Sequence, residues 1–312
     1  MSRQAWALFV AMSLLWGVPY LLIKVAVAEL DPSLVVFVRL ALASIVLVPF
    51  AFATGALRRV RGRWRSLATI SVVGIVAPFL LIGYGEQHIT SSLAALLIAA
   101  DPLFIVVLAV WLDASERMSG LRLVGLCLGL VGVAVLLGLN VSADELGLGF
   151  LGSAFVLIAA LCYALSALLV KRLGAMPALG TTSVTLTTSA VLLAPLAAAT
   201  MPRQLPSWTA IASLVVLGIL CTAIAYVIYY ELIAAAGAGR ASLITYVNPA
   251  VAVVLGVLVL GEPVTTSTIL GFGLIIVGCA VSTGTLERFF GIRARRPIMV
   301  AHHAARHTDL LR

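Results

Sequence analysis

The chain has 312 residues, of which 62% are hydrophobic and 10% charged. A soluble globular domain carries about a quarter charged residues, so a water-soluble fold is excluded, because too much apolar surface would face water. The net charge of +8 suggests nucleic acid only if the basic residues form a binding element, and their placement below argues against such a partner.

Crossing roughly 30 Å of hydrocarbon takes about 20 apolar residues as helix. Ten windows qualify, at 5–28, 34–54, 66–85, 90–112, 121–139, 149–170, 178–200, 208–231, 241–260 and 265–285. No small-residue cleavage site follows the first window, which therefore reads as a span and not a leader. The runs are continuous and not alternating, which excludes a membrane barrel and predicts helices. The predicted fold is an all-α integral membrane protein of ten transmembrane helices. Cys127, Cys162, Cys221 and Cys279 all fall inside apolar runs with no metal-ligand spacing, and are expected to be buried free thiols.

Direction follows from Lys and Arg. With the N-terminus in the cytoplasm, that side receives Arg3, the stretch Arg58–Arg65, Arg117, Arg122, Lys171, Arg172, Arg240 and the basic tail. Only Lys24, Arg39 and Arg203 are left towards the other face. The positive-inside rule then predicts a multi-pass protein of the cytoplasmic membrane with both termini cytoplasmic. It also makes anionic lipid the partner of Arg58–Arg65 and of Arg288–Arg296. Residues 286–312 read as a basic cytoplasmic tail, and His302, His303 and His307 within it as polar terminus and not a metal site.

The two halves repeat one another at a nearly constant offset. Lys24 pairs with Lys171, Pro49 with Pro195, Asp101-Pro102 with Asn248-Pro249, Glu116 with Glu262, Gly125 with Gly271 and Gly132 with Gly278. Each half, residues 5–140 and 147–285, holds five spans. The odd number forces the second half to enter the bilayer from the opposite side. Such inverted repeats are a feature of secondary transporters that rock about a midplane site.

With Trp16-Gly17, Arg39-Leu40-Ala41, the runs Leu93–Pro102 and Ala241–Pro249, and Glu116 and Gly261-Glu262 each followed by a Gly-x6-Gly helix, the chain resembles the EamA family of the drug/metabolite transporter superfamily over residues 5–285. The resemblance implies two five-helix units around a central cavity, commonly for export of amino acids or other small metabolites. It implies no particular substrate.

Two helix breaks are expected at the midplane, at Asp101-Pro102 and Asn248-Pro249, because proline removes a backbone donor and Asp or Asn before it starts a new helix. Polar backbone facing a cavity and a simple kink between packed helices are both consistent with such breaks. A charged Asp101 deep in a span costs about 2.5–3.5 kcal/mol, so it must pair, hydrate or take a proton. Two roles stay open for it, proton exchange against substrate and a fixed helix cap. Arg39 is expected to form a buried pair or gate, with Glu86 and Asp101 as the available acids; snorkelling to the headgroups is the alternative for Arg39 and for Lys24. Trp16, Tyr20, Tyr163, Tyr226 and Tyr246 are candidates for the cavity wall, and Glu86, His88 and Glu231 for gates at the span ends. Glu116 and Glu262 read as solvated or helix-capping groups. The glycines at 125, 129, 132, 271, 273 and 278 read as sites of close helix packing.

The functional expectation is a secondary active exporter of a small-molecule substrate, with Asp101 as the candidate for proton coupling. No Walker sequence provides a nucleotide site, so no cofactor is expected. Neither Gly-x-Ser-x-Gly nor His-Glu-x-x-His is present, which argues against an intramembrane enzyme. A channel would need a continuous polar lining. A homodimer is compatible with all of this.

Overall fold

The computed structural model describes residues 1–112, 120–139, 146–173, 176–241 and 243–282. Glu116, Arg117 and the basic tail lie outside the described residues.

The spans are α1 (Arg3–Val27), α2 (Pro32–Ala53), α3 (Arg58–Glu86), α4 (Ser91–Ile98 and Asp101–Leu112), α5 (Gly120–Leu139), α6 (Leu146–Leu173), α7 (Ala178–Ala199), α8 (Trp208–Ala236), α9 (Ile244–Leu260) and α10 (Thr266–Ser282). The ten-helix expectation holds, with α3, α6 and α8 longer than their apolar windows. The third helix draws in the basic stretch as a 3-10 turn over Arg58–Arg63, ahead of its apolar body.

Local chemistry sets the starts. Ser2 accepts from Ala5 N at 3.1 Å at the head of α1. Asp31 accepts from Ser33 N at 2.8 Å, with Pro32 preformed in the first turn of α2. Thr90 and Ser207 do the same for α4 and α8. Each side-chain oxygen takes one of the N–H groups that a helix start leaves without a partner. Gly261 ends α9 in the left-handed region at φ 68°, which a side chain would strain.

The halves interlock. α1 packs on α8 and α9, and its repeat counterpart α6 packs on α3 and α4. α2 packs on α7 and on α8, while α7 returns the contact to α3; α4 meets α9, and α5 meets α10. Every one of these pairs is either its own mirror or has one, as a two-fold relation between repeats requires. The α5–α10 seam is built on glycine. A Cβ on Gly132 would come within 2.8 Å of the Gly271 carbonyl oxygen and the Ile275 nitrogen, so only hydrogen lets the two backbones meet. Gly273 is the exception to the predicted set, since its face is open.

Apolar surface elsewhere points outward, as lipid solvent demands. Trp111 is 79% exposed and Leu258 77%, and Trp6 and Trp208 ring opposite ends, where amphipathic indoles settle. Two of the four thiols depart from the burial expected. Cys221 and Cys279 are buried, but Cys162 is half-buried and Cys127 exposed on the outside of α5. Free cysteine behaves there as one more lipid-facing apolar group.

Both halves carry a π-helical segment in the equivalent span, Val72–Val76 within α3 and Val216–Ile224 within α8. The proline breaks are less symmetric. α4 is interrupted at Ala99 and Ala100 and restarts at Asp101, as expected. The expected counterpart at Asn248-Pro249 does not form, and α9 runs through Pro249 from a start at Ile244. The chain accommodates the proline inside a continuous helix, where its missing N–H leaves the Thr245 carbonyl without that helical donor.

Candidate functional site

At the face remote from the N-terminus, the turns are fastened across the repeat. Glu262, just after α9, accepts at Oε1 from Ser91 N (2.7 Å) and Ser91 Oγ (2.9 Å), and at Oε2 from Ser92 N (3.0 Å) and Ser92 Oγ. A carboxylate of the second half thus caps the N-terminus of a first-half helix, where the dipole favours negative charge. Glu29, between α1 and α2, does the converse for α8, accepting from Ser207 N at 2.7 Å and Ser207 Oγ at 2.5 Å. Those two bonds hold the Glu29 carboxyl below the usual glutamate range. The capping role expected of Glu262 is observed.

Lys24 does not snorkel. Its Nζ donates to the carbonyl oxygens of Glu86 (2.5 Å) and Ile89 (2.8 Å), so it closes the C-terminal end of α3, where orphan carbonyls attract a cation. Beside it, Glu86 is fully buried, and neither carboxyl oxygen has a hydrogen-bond partner. Of the other predicted gate residues, His88 and Glu231 are exposed.

Between the halves lies a cavity of about 330 Å³. Six helices give it Trp16, Tyr20, Arg39, Asp101, Tyr163, Tyr226 and Asn248 from the predicted set. Tyr246 is the one predicted wall residue that the structure moves away, since it packs on the core around Leu96 and Leu103. Thr245, one residue earlier, takes the place on the cavity side of α9.

Among the described residues the charged poles have no ion-pair partner. Arg39 forms no ion pair with Glu86 or Asp101, contrary to the expected pairing. Its Nε donates to Thr222 Oγ1 at 2.9 Å, and its guanidinium sits 4.3 Å from the centroid of the Phe79 ring. A hydroxyl and an aromatic face hold a guanidinium without neutralising it. Asp101 Oδ1 and Asn248 Oδ1 are sealed from water and accept no hydrogen bond. Such acceptors are costly to leave unmade. The wall between the poles is aromatic. Trp16 lies edge-on to Tyr226 at 5.8 Å, and 4.9 Å from Tyr229.

Phe79, Thr222, Cys221 and Gly74 are site residues that the sequence reading missed. Phe79 and Cys221 look like any apolar residue of a span, and nothing local marks Thr222 as the partner of an arginine 183 residues away. Thr245 carried a usable signal, because it lies one helical turn before Pro249 and so has the carbonyl the proline releases. Chemically, the arrangement offers a cation, a carboxyl, an amide and aromatic walls to one small molecule, in a volume at the lower end of ligand cavities.

The model of the EamA-like transporter family matches residues 4–138 and, a second time, residues 150–284. Among similar proteins is an uncharacterized transporter of Archaeoglobus fulgidus, 26% identical over 88% of this chain and 97% of its own. The uncharacterized inner membrane transporter YedA of Escherichia coli K12 is 27% identical over 89% of each chain. A protein of Streptantibioticus cattleyicolor named as a probable terminal-alkyne amino-acid exporter is 29% identical over 89% of this chain and 92% of its own. A solved crystal structure superposes with a TM-score of 0.65 at 21% identity, covering 92% of this chain and all of the other, and so shares the fold.

Proposed function

Since the chain belongs to the EamA-like transporter family of the drug/metabolite transporter superfamily, we propose that it exports a small amino-acid-like metabolite across the cytoplasmic membrane by alternating access. The observation that carries this reading is the cavity with separate unpaired poles. A substrate carboxylate pairs with Arg39, whose planar fork suits it. A substrate ammonium pairs with the Asp101 carboxyl and the Asn248 amide, both on the cavity wall. Trp16, Tyr163 and Tyr226 then face its side chain, and favour an apolar or aromatic one. The naming of one relative as an amino-acid exporter supports the same class.

In this proposal both termini are cytoplasmic, because the basic ends of the spans gather on the N-terminal face. The capped turns at Glu29 and Glu262 then lie outside. Asp101 carries the coupling proton. It heads the second segment of α4, beside the substrate's ammonium, so a proton and a cationic substrate compete for one carboxyl. That competition is what obligatory exchange needs.

The test is metabolite profiling of the medium and cytosol of cells with and without the gene. Export predicts one or a few amino-acid-like compounds that fall in the medium and rise in the cytosol when the gene is removed. An unchanged profile in both compartments contradicts it.

A further inference from the structure

Thr222 is 1% exposed and lies in the π-helical segment of α8. Its Oγ1 donates to the Leu217 carbonyl, five residues back, at 2.7 Å. A threonine hydroxyl has one proton. With that proton committed to Leu217, Oγ1 is left as an acceptor only, and as such it takes Arg39 Nε–H at 2.9 Å. The π turn fixes the polarity of this contact, since the donor direction is set by a carbonyl that a regular α-helix would present to another residue.

The consequence falls on the guanidinium. Of its five N–H groups, Nε–H is bound by Thr222 and one face is covered by Phe79 at 4.3 Å. A planar group held at one edge and one face has no remaining rotation. Its terminal nitrogens make no hydrogen bond to the described protein, and they are not among its sealed polar atoms. They therefore face the cavity that Arg39 lines. In the repeat, the position equivalent to Arg39 falls near Thr185, which bonds back to the Thr181 and Thr182 carbonyls of its own helix. The second half thus has no copy of this device.

We propose that Thr222 is a positioning residue, which through its bond to Leu217 orients Arg39 as a two-pronged receptor for a planar carboxylate. The proposal rests on Arg39 being the anion pole of the export site. It makes Thr222 the determinant of selectivity for an acid over its neutral isostere, although Thr222 itself does not touch substrate.

The test uses benzoate and benzamide, which share shape and differ in charge. Binding of each to the full chain in detergent is measured by calorimetry for wild type, Thr222→Val and Thr222→Ser. Wild type is expected to prefer benzoate at least about tenfold, the discrimination of one charge-assisted contact. Thr222→Val, similar in shape but unable to accept, is expected to lose roughly tenfold of that preference. Thr222→Ser, which keeps the hydroxyl, is expected to retain it. If Thr222→Val does not give folded protein, Thr222→Cys, a weak acceptor, is expected to lose most of the same preference. Three results overturn the proposal: no benzoate preference in wild type, an unchanged preference in Thr222→Val or its Cys substitute, or a Ser variant as defective as they are. A protein that exports no amino-acid-like compound yet shows the Thr222-dependent preference sinks the export reading alone. Export with a preference indifferent to Thr222 sinks the positioning role alone.

Discussion

Replacing Glu262 by glutamine changes one oxygen to an amide nitrogen and removes one charge, at a side chain that crosses from the second repeat to the first. The carboxylate accepts four hydrogen bonds, two from Ser91 and two from Ser92. Glutamine keeps one acceptor oxygen, so the Ser91 pair survives in weaker, neutral form. The amide then sets a donor against the Ser92 N–H, while the Ser92 hydroxyl can turn to accept from it. Hydrogen bonds to a charged acceptor contribute about 1.5–3 kcal/mol each, and one is lost while three weaken to neutral bonds. The loss is not additive, because the four bonds share one side chain. A net destabilisation of about 2–4 kcal/mol follows. Equilibrium unfolding in mixed micelles with rising SDS reads it, with Glu262→Asp and Ser92→Ala as companions that should lose less. A loss below about 1 kcal/mol for Glu262→Gln would refute the reasoning, and reduce the cross-repeat cap to a solvated contact.

Three further predictions follow from other parts of the fold. Asp101→Asn should abolish efflux driven by a pH gradient while leaving exchange of substrate for substrate, and full gradient-driven transport by the variant would end Asp101's coupling role. Gly132→Val should cost about 1–3 kcal/mol in the same SDS titration, because its Cβ meets two backbone atoms across the α5–α10 seam, whereas Gly273→Ala, on an open face, should cost nothing measurable. Glu29 is held below the usual glutamate range in the folded chain. Its contribution is therefore fully present above that range and disappears as pH falls through the lowered folded value. Melting temperature measured against pH should show a shallower acid limb for Glu29→Gln, and an identical limb would contradict the capping of α8.

The spans were legible because hydrocarbon thickness imposes a length, and the repeat because proline and glycine leave marks that survive duplication. Those marks identified the packing glycines, Gly273 excepted, and the restart of α4 at Asp101, but not that α5 and α10 are partners. They misled at Pro249, where an identical local signature sits inside a continuous helix. A proline removes one donor but does not decide whether its surroundings can accommodate the loss. The ionisable residues were found as residues but not as pairs. Lys24 reaches carbonyls 62 and 65 residues away, and Arg39 a hydroxyl in the other half. Partners like these are set by which helices pack together, and the cross-repeat packing of α2 on α8 and of α1 beside the α3–α4 turn has no local signal. Backbone carbonyls and threonines, moreover, have none of the rarity that makes a buried charge conspicuous.

The central claim is that the cavity carries a substrate across the bilayer and is not a conduit or a chemical site. Counterflow tests it most directly, with proteoliposomes loaded with an unlabelled amino acid identified by the metabolite profile and diluted into a trace of the labelled compound. Transient accumulation of label above its equilibrium level is expected, lost in Arg39→Gln. Label that only equilibrates, or that enters equally well in Arg39→Gln, would contradict it.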